Sequence, residues 1–124
     1  MSRKKVLIIE DEAEIAIILE DILLLNDAEA IVAKDGSFAL NALDKESVHL
    51  IISDLNLPDI NGLELYKEII KKYPSLQNRF LFMSGYSIDD EMEVFLYETD
   101  NRYIQKPFPI TQMQQVIQDC LNYN

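Results

Sequence analysis

Acidic, hydroxyl and basic side chains follow several short apolar runs of this sequence. The run "VLII" ends in Glu10 and Asp11, and the run "LIIS" ends in Asp54. The run "FLFM" leads to Ser84, and "YIQ" leads to Lys106. If these runs are parallel strands, their carboxyl ends share one edge of a sheet, where ligands of such sheets bind. Three carboxylates, a hydroxyl and an ammonium group would then meet in one place.

Three carboxylates in one place require a cation. Neighbouring strands lie ~4.8 Å apart, and two carboxylates about 5 Å apart repel by roughly 3 kcal/mol at an effective dielectric near 20. Carboxylate oxygens suit Mg²⁺, which keeps several waters and also binds phosphate oxygens. The cluster contains no histidine or cysteine, which disfavours zinc. We therefore predict that Glu10, Asp11 and Asp54 bind Mg²⁺, and Asn56 could add a carbonyl oxygen.

With Mg²⁺ bound, one of these carboxylates can act as a nucleophile towards phosphorus. Asp54 is the best candidate because it leads directly into the loop whose backbone could also meet the metal. A transferring phosphoryl group spreads negative charge over its equatorial oxygens. The Lys106 ammonium group and the Ser84 hydroxyl are suited to contact those oxygens.

Strand and helix patterns alternate five times along the chain. The strands are nearly continuous apolar runs and the helices are amphipathic, a combination that predicts an α/β fold with a parallel sheet covered on both faces. Ser87 is predicted to cap the fourth helix. The predicted strands are Val6–Ile9, Ala28–Ala33, His49–Ser53, Phe80–Ser84 and Arg102–Gln105. The predicted helices include Ile15 to Leu23, Gly36 to about Ser47, Leu63 to Tyr73, Asp89 to Glu98 and the segment that Pro109 opens.

The composition bounds the location and the partners. The 124 residues fit one domain, residues 1–124, and 48% of them are hydrophobic. No apolar run is long enough to cross a bilayer, and the N-terminal apolar run is too short for a signal peptide, so we expect a cytoplasmic domain. With 11 basic and 22 acidic residues, the net charge of −11 argues against direct DNA binding.

Four motifs in order resemble the receiver domain of two-component response regulators: "VLIIEDE", "IISDLNLPDINGLEL", "FLFMSGY" and "YIQKPF". The resemblance covers essentially the whole chain. It implies a doubly wound, flavodoxin-like (βα)5 fold with strand order 2-1-3-4-5. It also implies phosphorylation at Asp54, contacts from Ser84 and Lys106 to the phosphoryl group, and a cis bond between Lys106 and Pro107. The implied ligands of Mg²⁺ are Glu10, Asp11, Asp54 and the backbone carbonyl of Asn56.

The resemblance further implies a signalling switch that catalyses only its own phosphorylation and dephosphorylation. The phosphoryl donor would be a sensor histidine kinase or a histidine phosphotransfer protein. Tyr103 would turn inward when Ser84 moves to the phosphoryl group, and this would change the face formed by the fourth helix, fifth strand and fifth helix. The effector could be fused or separate.

The sequence departs from the family pattern at three places and leaves three alternative functions open. Glu10 stands where aspartate is commoner, Ser84 replaces threonine, and Glu98-Thr99-Asp100 replaces a small Ala-Gly-Ala turn. One alternative is a phosphate-independent adaptor. A second is an aspartyl-phosphate phosphatase, disfavoured because Asn56 lacks the acid that such enzymes use. A third is a flavodoxin-like binding module, disfavoured because "EDEAE" would repel phosphate.

Overall fold

The computed structural model describes residues 3–122 and shows five strands alternating with five helices. All strands of the sheet are parallel, in the order β2-β1-β3-β4-β5. This is the doubly wound α/β arrangement that the sequence predicted. A short 3₁₀ turn, Pro74–Leu76, links the third helix to the fourth strand. The strands are β1 (Lys4–Ile9), β2 (Ala28–Ala33), β3 (Leu50–Asp54), β4 (Phe80–Ser84) and β5 (Arg102–Gln105). The helices are α1 (Ala13–Leu25), α2 (Gly36–Lys45), α3 (Gly62–Lys72), α4 (Asp90–Thr99) and α5 (Ile110–Asn122).

The central strands are mostly apolar, with their polar residues at the strand ends, because both faces of the sheet are covered. Successive side chains of a strand point to opposite faces, so β1 contributes to two separate cores. Val6 and Ile8 pack with α1 and α5, whereas Leu7 and Ile9 pack with α2, α3 and α4. All four side chains are completely buried. This burial fixes the strands and therefore the position of the polar residues that follow them.

Several predicted element bounds differ from the observed ones by one or two residues, and one predicted helix cap is wrong. The third strand begins at Leu50 and includes Asp54, which pairs with Met83 of β4. The fourth helix is capped by Asp89, whose carboxylate accepts the Met92 N–H at 2.8 Å, and the predicted cap Ser87 lies outside the helix. An aspartate is as good a helix cap as a serine, so the local pattern alone does not choose between them.

The fourth helix has acidic residues at both its amino end and its carboxyl end. Its first turn carries Asp90, Glu91 and Glu93, and its last turn carries no basic residue. It ends at Asp100, which adopts the left-handed conformation with φ of 57°. Glycine is the usual residue at such a position. This is where the sequence departs from the small turn of the family.

No helix within residues 3–122 is long and apolar enough to cross a membrane.

Candidate functional site

The carboxylates of β1 and β3 converge at the carboxyl edge of the sheet. Glu10 directly follows β1, where its N–H donates to the Ala33 carbonyl at 2.9 Å, and Asp54 is the last residue of β3. One carboxylate oxygen from each of Glu10, Asp11 and Asp54 lies within 4.8 Å of the others. Glu10 and Asp54 are buried and Asp11 is exposed. The structure therefore brings together the three acids that the sequence singled out.

Lys106 reaches the same cluster from the end of β5. Its N–H donates to the Ser84 carbonyl at 2.8 Å, which aligns the lysine with the end of β4. Its Nζ lies 2.8 Å from Glu10 Oε1 and 2.9 Å from Asp54 Oδ2, and its side chain is 15% exposed. Burial lowers the pKa of Lys106, but the two carboxylates outweigh burial and hold that pKa above its ordinary value. Lys106 is therefore a fixed cation, and its bond to Pro107 is cis.

The pKa of Glu10 is strongly altered by the surroundings of its side chain. Burial raises the pKa of Glu10 to about 7, against the opposing effects of Lys106 and the Glu12 N–H. Glu10 Oε2 accepts that N–H at 3.2 Å. Glu10 Oε1 is close to Lys106 Nζ, but the angles of a hydrogen bond are not met, so this buried oxygen has no hydrogen-bond donor among the described residues. A buried carboxylate oxygen whose one close partner is an ammonium group shared with Asp54, beside two further carboxylates, fits a hard divalent cation such as Mg²⁺.

Asn56 and Ser84 contact each other beside Asp54. The Asn56 N–H donates to Asp54 Oδ1 at 2.9 Å, which holds one oxygen of that carboxylate. The Ser84 hydroxyl donates to Asn56 Oδ1 at 3.2 Å and accepts the Tyr86 N–H at 3.1 Å. Both predicted residues are thus at the site, with the Ser84 hydroxyl directed towards the Asn56 amide.

Tyr103 lies at the edge of the site, next to the loop between β4 and α4. Its hydroxyl donates to the Tyr86 carbonyl and lies 3.5 Å from the Ser84 carbonyl. The ring lines a cavity of about 230 Å³, whose walls also include Asn56, Ser84 and Met92. Tyr103 is therefore tied to the backbone that carries Ser84, and space lies beside it.

A comparison of the sequence with protein-family models agrees with this arrangement of side chains. The family model for the response regulator receiver domain matches residues 6–118. The chain belongs to the response regulator receiver domain family. The match spans every strand of the sheet except the first residues of β1, and it includes all the residues of the acidic cluster.

Curated relatives of this receiver domain are longer proteins. The chain is 34% identical over 104 residues to the response regulator protein FleR of Pseudomonas aeruginosa, covering 84% of this chain and 22% of that protein. It is 30% identical over 121 residues to the probable transcriptional regulator ycf27 of Porphyridium aerugineum, covering 98% and 49%. The chain therefore spans about half or less of the length of these relatives.

Solved structures of receiver domains have the same fold. The CheY-like receiver domain protein of Methanospirillum hungatei is 27% identical with a TM-score of 0.82, covering 98% of this chain and 95% of that chain. The non-phosphorylated HemR receiver domain of Leptospira biflexa is 25% identical with a TM-score of 0.86, covering 98% and 97%.

The loop after Asp54 contains residues of this receiver domain that sequence reasoning missed. A Cβ added to Gly62 would lie 2.8 Å from the Asp54 carbonyl oxygen and 2.6 Å from Leu55 Cα, so the close approach of α3 to β3 requires glycine. Asp59, at the tip of the loop, bonds to the first turn of α2. The "NG" pair in the sequence signals the turn at Gly62, but no local pattern signals a contact across 23 residues.

Proposed function

We propose that this receiver domain is a phosphorylation-controlled signalling switch that accepts a phosphoryl group on Asp54 from a phosphohistidine. The convergence of Glu10, Asp11, Asp54 and Lys106 at one edge of the sheet supports this proposal above all. Two of the acids are buried, where unpaired carboxylates are destabilising. Such a cluster therefore favours a functional site over a solvated surface.

In the proposed reaction, an Asp54 carboxylate oxygen attacks phosphorus and the bond from phosphorus to the donor imidazole nitrogen breaks. The electron pair of that bond leaves with the imidazole, which takes up a proton to become neutral histidine. Asp54 Oδ1 is held by the Asn56 N–H and Oδ2 by Lys106. Once the phosphoryl group is transferred, Lys106 can hold one of its oxygens, because the ammonium already lies 2.9 Å from Asp54.

Glu10, Asp11 and Asp54 would hold Mg²⁺, together with the backbone carbonyl of Asn56. When bound, Mg²⁺ would stabilise the negative charge on the oxygens of the transferring phosphoryl group. We further propose that the protein chemistry stops at its own phosphorylation and dephosphorylation, so that the domain is not an enzyme acting on an external substrate.

The switch would work through Ser84 and Tyr103. For its hydroxyl to contact the phosphoryl group, Ser84 must release Asn56 Oδ1. The cavity of about 230 Å³ beside Tyr103 gives the ring space to move inward. Such a movement would bias a two-state equilibrium of the face formed by α4, β5 and α5. The fourth helix is suited to this because Met92 is its one buried residue.

The proposed partners are a sensor histidine kinase or a histidine phosphotransfer protein, and an effector that is fused or separate. Two relatives are named as a response regulator protein and a probable transcriptional regulator. This chain matches less than half of their length. Direct DNA binding by this domain is disfavoured by the net charge of −11.

The test is phosphorylation by a small phosphodonor such as acetyl phosphate. We expect Mg²⁺-dependent, acid-labile phosphate uptake by the wild-type protein and none by Asp54→Asn. The matched control is Asp21→Asn, which removes an exposed carboxylate of α1 and should leave uptake unchanged. Undiminished uptake by Asp54→Asn would refute the assignment. Turnover of an external phosphate ester would instead favour a phosphatase.

A further inference from the structure

The loop that follows Asp54 is tied at its tip to the start of α2. Asp59 Oδ1 accepts the Gly36 N–H at 2.9 Å, and Oδ2 accepts the Ser37 N–H at 3.1 Å. The Ser37 hydroxyl lies a further 3.4 Å from the same Oδ2. These are the first N–H groups of the helix, which lack partners within the helix itself. The tip of the loop therefore caps a helix from a different part of the chain.

A second contact fixes the same tip. Gly36 is buried, and a Cβ added there would lie 2.5 Å from the Ile60 side chain. The glycine thus allows the residue after Asp59 to pack directly on the backbone of α2. Asp59 and Ile60 together hold the tip by charge and by packing.

The base of the loop is narrow, so the position of the tip affects the residues next to Asp54. The Gly62 N–H donates to the Leu55 carbonyl at 2.9 Å, and Asn56 pairs with Asn61 in an antiparallel bridge. Asn56 in turn bonds to Asp54 Oδ1 and to the Ser84 hydroxyl. A displacement of the tip would thus reach Asn56 through a short, closed segment.

We infer that Asp59 is a positioning residue, which anchors the phosphoacceptor loop on α2 and so holds Asn56 in place for cation binding and phosphoryl transfer. This inference rests on the proposed function of Asp54. The two N–H donors, with Gly36 contributing most, lower the pKa of Asp59.

A second aspartate provides the matched control. Asp35 is the N-cap of α2, and its carboxylate accepts the Phe38 N–H at 2.9 Å. Asp35 and Asp59 therefore cap the same helix with the same chemical group, but only Asp59 belongs to the loop after Asp54. Asp35→Ala removes a cap of α2 without releasing the tip, and Asp59→Ala does both.

The experiment compares Asp59→Ala, Asp59→Asn and Asp35→Ala with the wild type. Mg²⁺ binding to the unphosphorylated proteins is measured by calorimetry, and phosphorylation by acetyl phosphate is measured over a range of Mg²⁺ concentrations. Amide hydrogen exchange of Gly36 and Ser37 reports directly on the two hydrogen bonds. We expect Asp59→Ala to weaken Mg²⁺ binding about three- to tenfold, less than the roughly 10–100-fold typical of residues bonded directly to a metal ligand.

We expect Asp59→Asn to lie between the wild type and Asp59→Ala, because an amide keeps one acceptor oxygen. If Asp59 acted only through its negative charge, the two substitutions would weaken Mg²⁺ binding equally. Asp35→Ala should leave Mg²⁺ binding and phosphorylation unchanged. Equal effects of Asp35→Ala and Asp59→Ala would overturn the inference, because Asp59 would then be no more than a cap. Wild-type Mg²⁺ affinity in Asp59→Ala would overturn it as well.

Gly36→Ala tests the same inference without changing any charge. The added methyl group should push Ile60 away and weaken Mg²⁺ binding, and Ile60→Ala in the same chain should restore part of it by removing the clash. Wild-type Mg²⁺ binding by Gly36→Ala would contradict the inference. The proposed function fails separately: if the wild type binds Mg²⁺ but takes up no phosphate, the loop can still be anchored by Asp59. If the wild type binds no Mg²⁺, both proposals fail.

Discussion

Replacing Lys106 with methionine would remove the ammonium group that lies between two buried carboxylates. Nζ is 2.8 Å from Glu10 and 2.9 Å from Asp54, and the two acidic side chains are 0% and 6% exposed. Methionine keeps most of the length of the side chain and its packing, so the substitution removes mainly the charge. In the absence of a bound divalent cation, the Lys106→Met protein should be less stable than the wild type.

The size of the loss follows from two opposing contributions. At an effective dielectric near 20, each of the two close contacts is worth about 6 kcal/mol of attraction before any cost of removing the charges from water. Much of that attraction offsets desolvation, and breaking one partner of a buried ion pair typically costs about 3–5 kcal/mol. Because Glu10 can take up a proton instead of remaining charged, we expect the lower value, about 3 kcal/mol near pH 8.

The loss should depend on pH in a defined direction. The folded-state pKa of Glu10 is raised to about 7 even beside Lys106, and without the lysine it should rise further. Between the unfolded and folded pKa values the folded protein holds a proton that the unfolded chain has released, so stability falls as the pH rises through that window. The gap between wild type and Lys106→Met should therefore widen as the pH rises above about 7 and be smallest near pH 5.

The assay is urea unfolding followed by circular dichroism, in buffer without divalent cations, near pH 5 and near pH 8. The control is Lys72→Met, which breaks an exposed ion pair with Asp44 and should change stability little at either pH. Saturating Mg²⁺ should restore part of the stability of Lys106→Met by replacing the lost positive charge. A loss below about 1 kcal/mol near pH 8, or a loss that shrinks as the pH rises, would refute the electrostatic reasoning.

Three further predictions concern stability. Asp100→Gly should raise the free energy of unfolding by about 0.5–1 kcal/mol, because glycine adopts the left-handed conformation at no steric cost; a lower urea midpoint would contradict this. Asn101→Ala should lower that free energy by about 2–3 kcal/mol, because Asn101 is buried and its side chain pairs with the Phe80 N–H and the Gln77 carbonyl, each at 2.9 Å; an unchanged urea midpoint would contradict it. Mg²⁺ at about 100 times its dissociation constant should stabilise the wild type by about 2.7 kcal/mol, which should appear as an increase in Tm. Asp11→Asn should make that increase smaller. Equal Tm values of the wild type with and without Mg²⁺ would count against a metal site.

Much of the fold could be predicted because burial on both faces leaves a strong signal in the sequence. The bounds of β2, β4 and β5 match the predicted segments, and their apolar residues are flanked by turn residues. The bounds of β3 were shifted by one residue, since Asp54 looks like a strand terminus but still pairs with Met83. A charged residue inside a ladder cannot be recognised from hydrophobic patterning alone.

The site divides in the same way. The residues after strands could be predicted, because the topology of a parallel sheet alone brings Glu10, Asp54 and Lys106 to one edge. Asp59 could not, because it acts through hydrogen bonds to a distant segment of the chain, and the same holds for Asn101, which lies outside the site and accepts the Phe80 N–H at the start of β4. Aspartate and asparagine are both common in local turns. Each residue therefore has a local explanation in the sequence, and nothing in the sequence indicates its long-range hydrogen bond.

The distribution of charge along α4 should make the amino end of that helix more stable than its carboxyl end. Acidic side chains favour the amino end of a helix and disfavour the carboxyl end, and α4 has three acids in its first turn and a left-handed aspartate as its C-cap. The amino end is also the end that borders the cavity beside Ser84. Fraying should therefore spread from Asp100 back towards Asp89, so that amide protons near Thr99 exchange before those near Met92. The part of α4 nearest the phosphoacceptor would then be its best-ordered part.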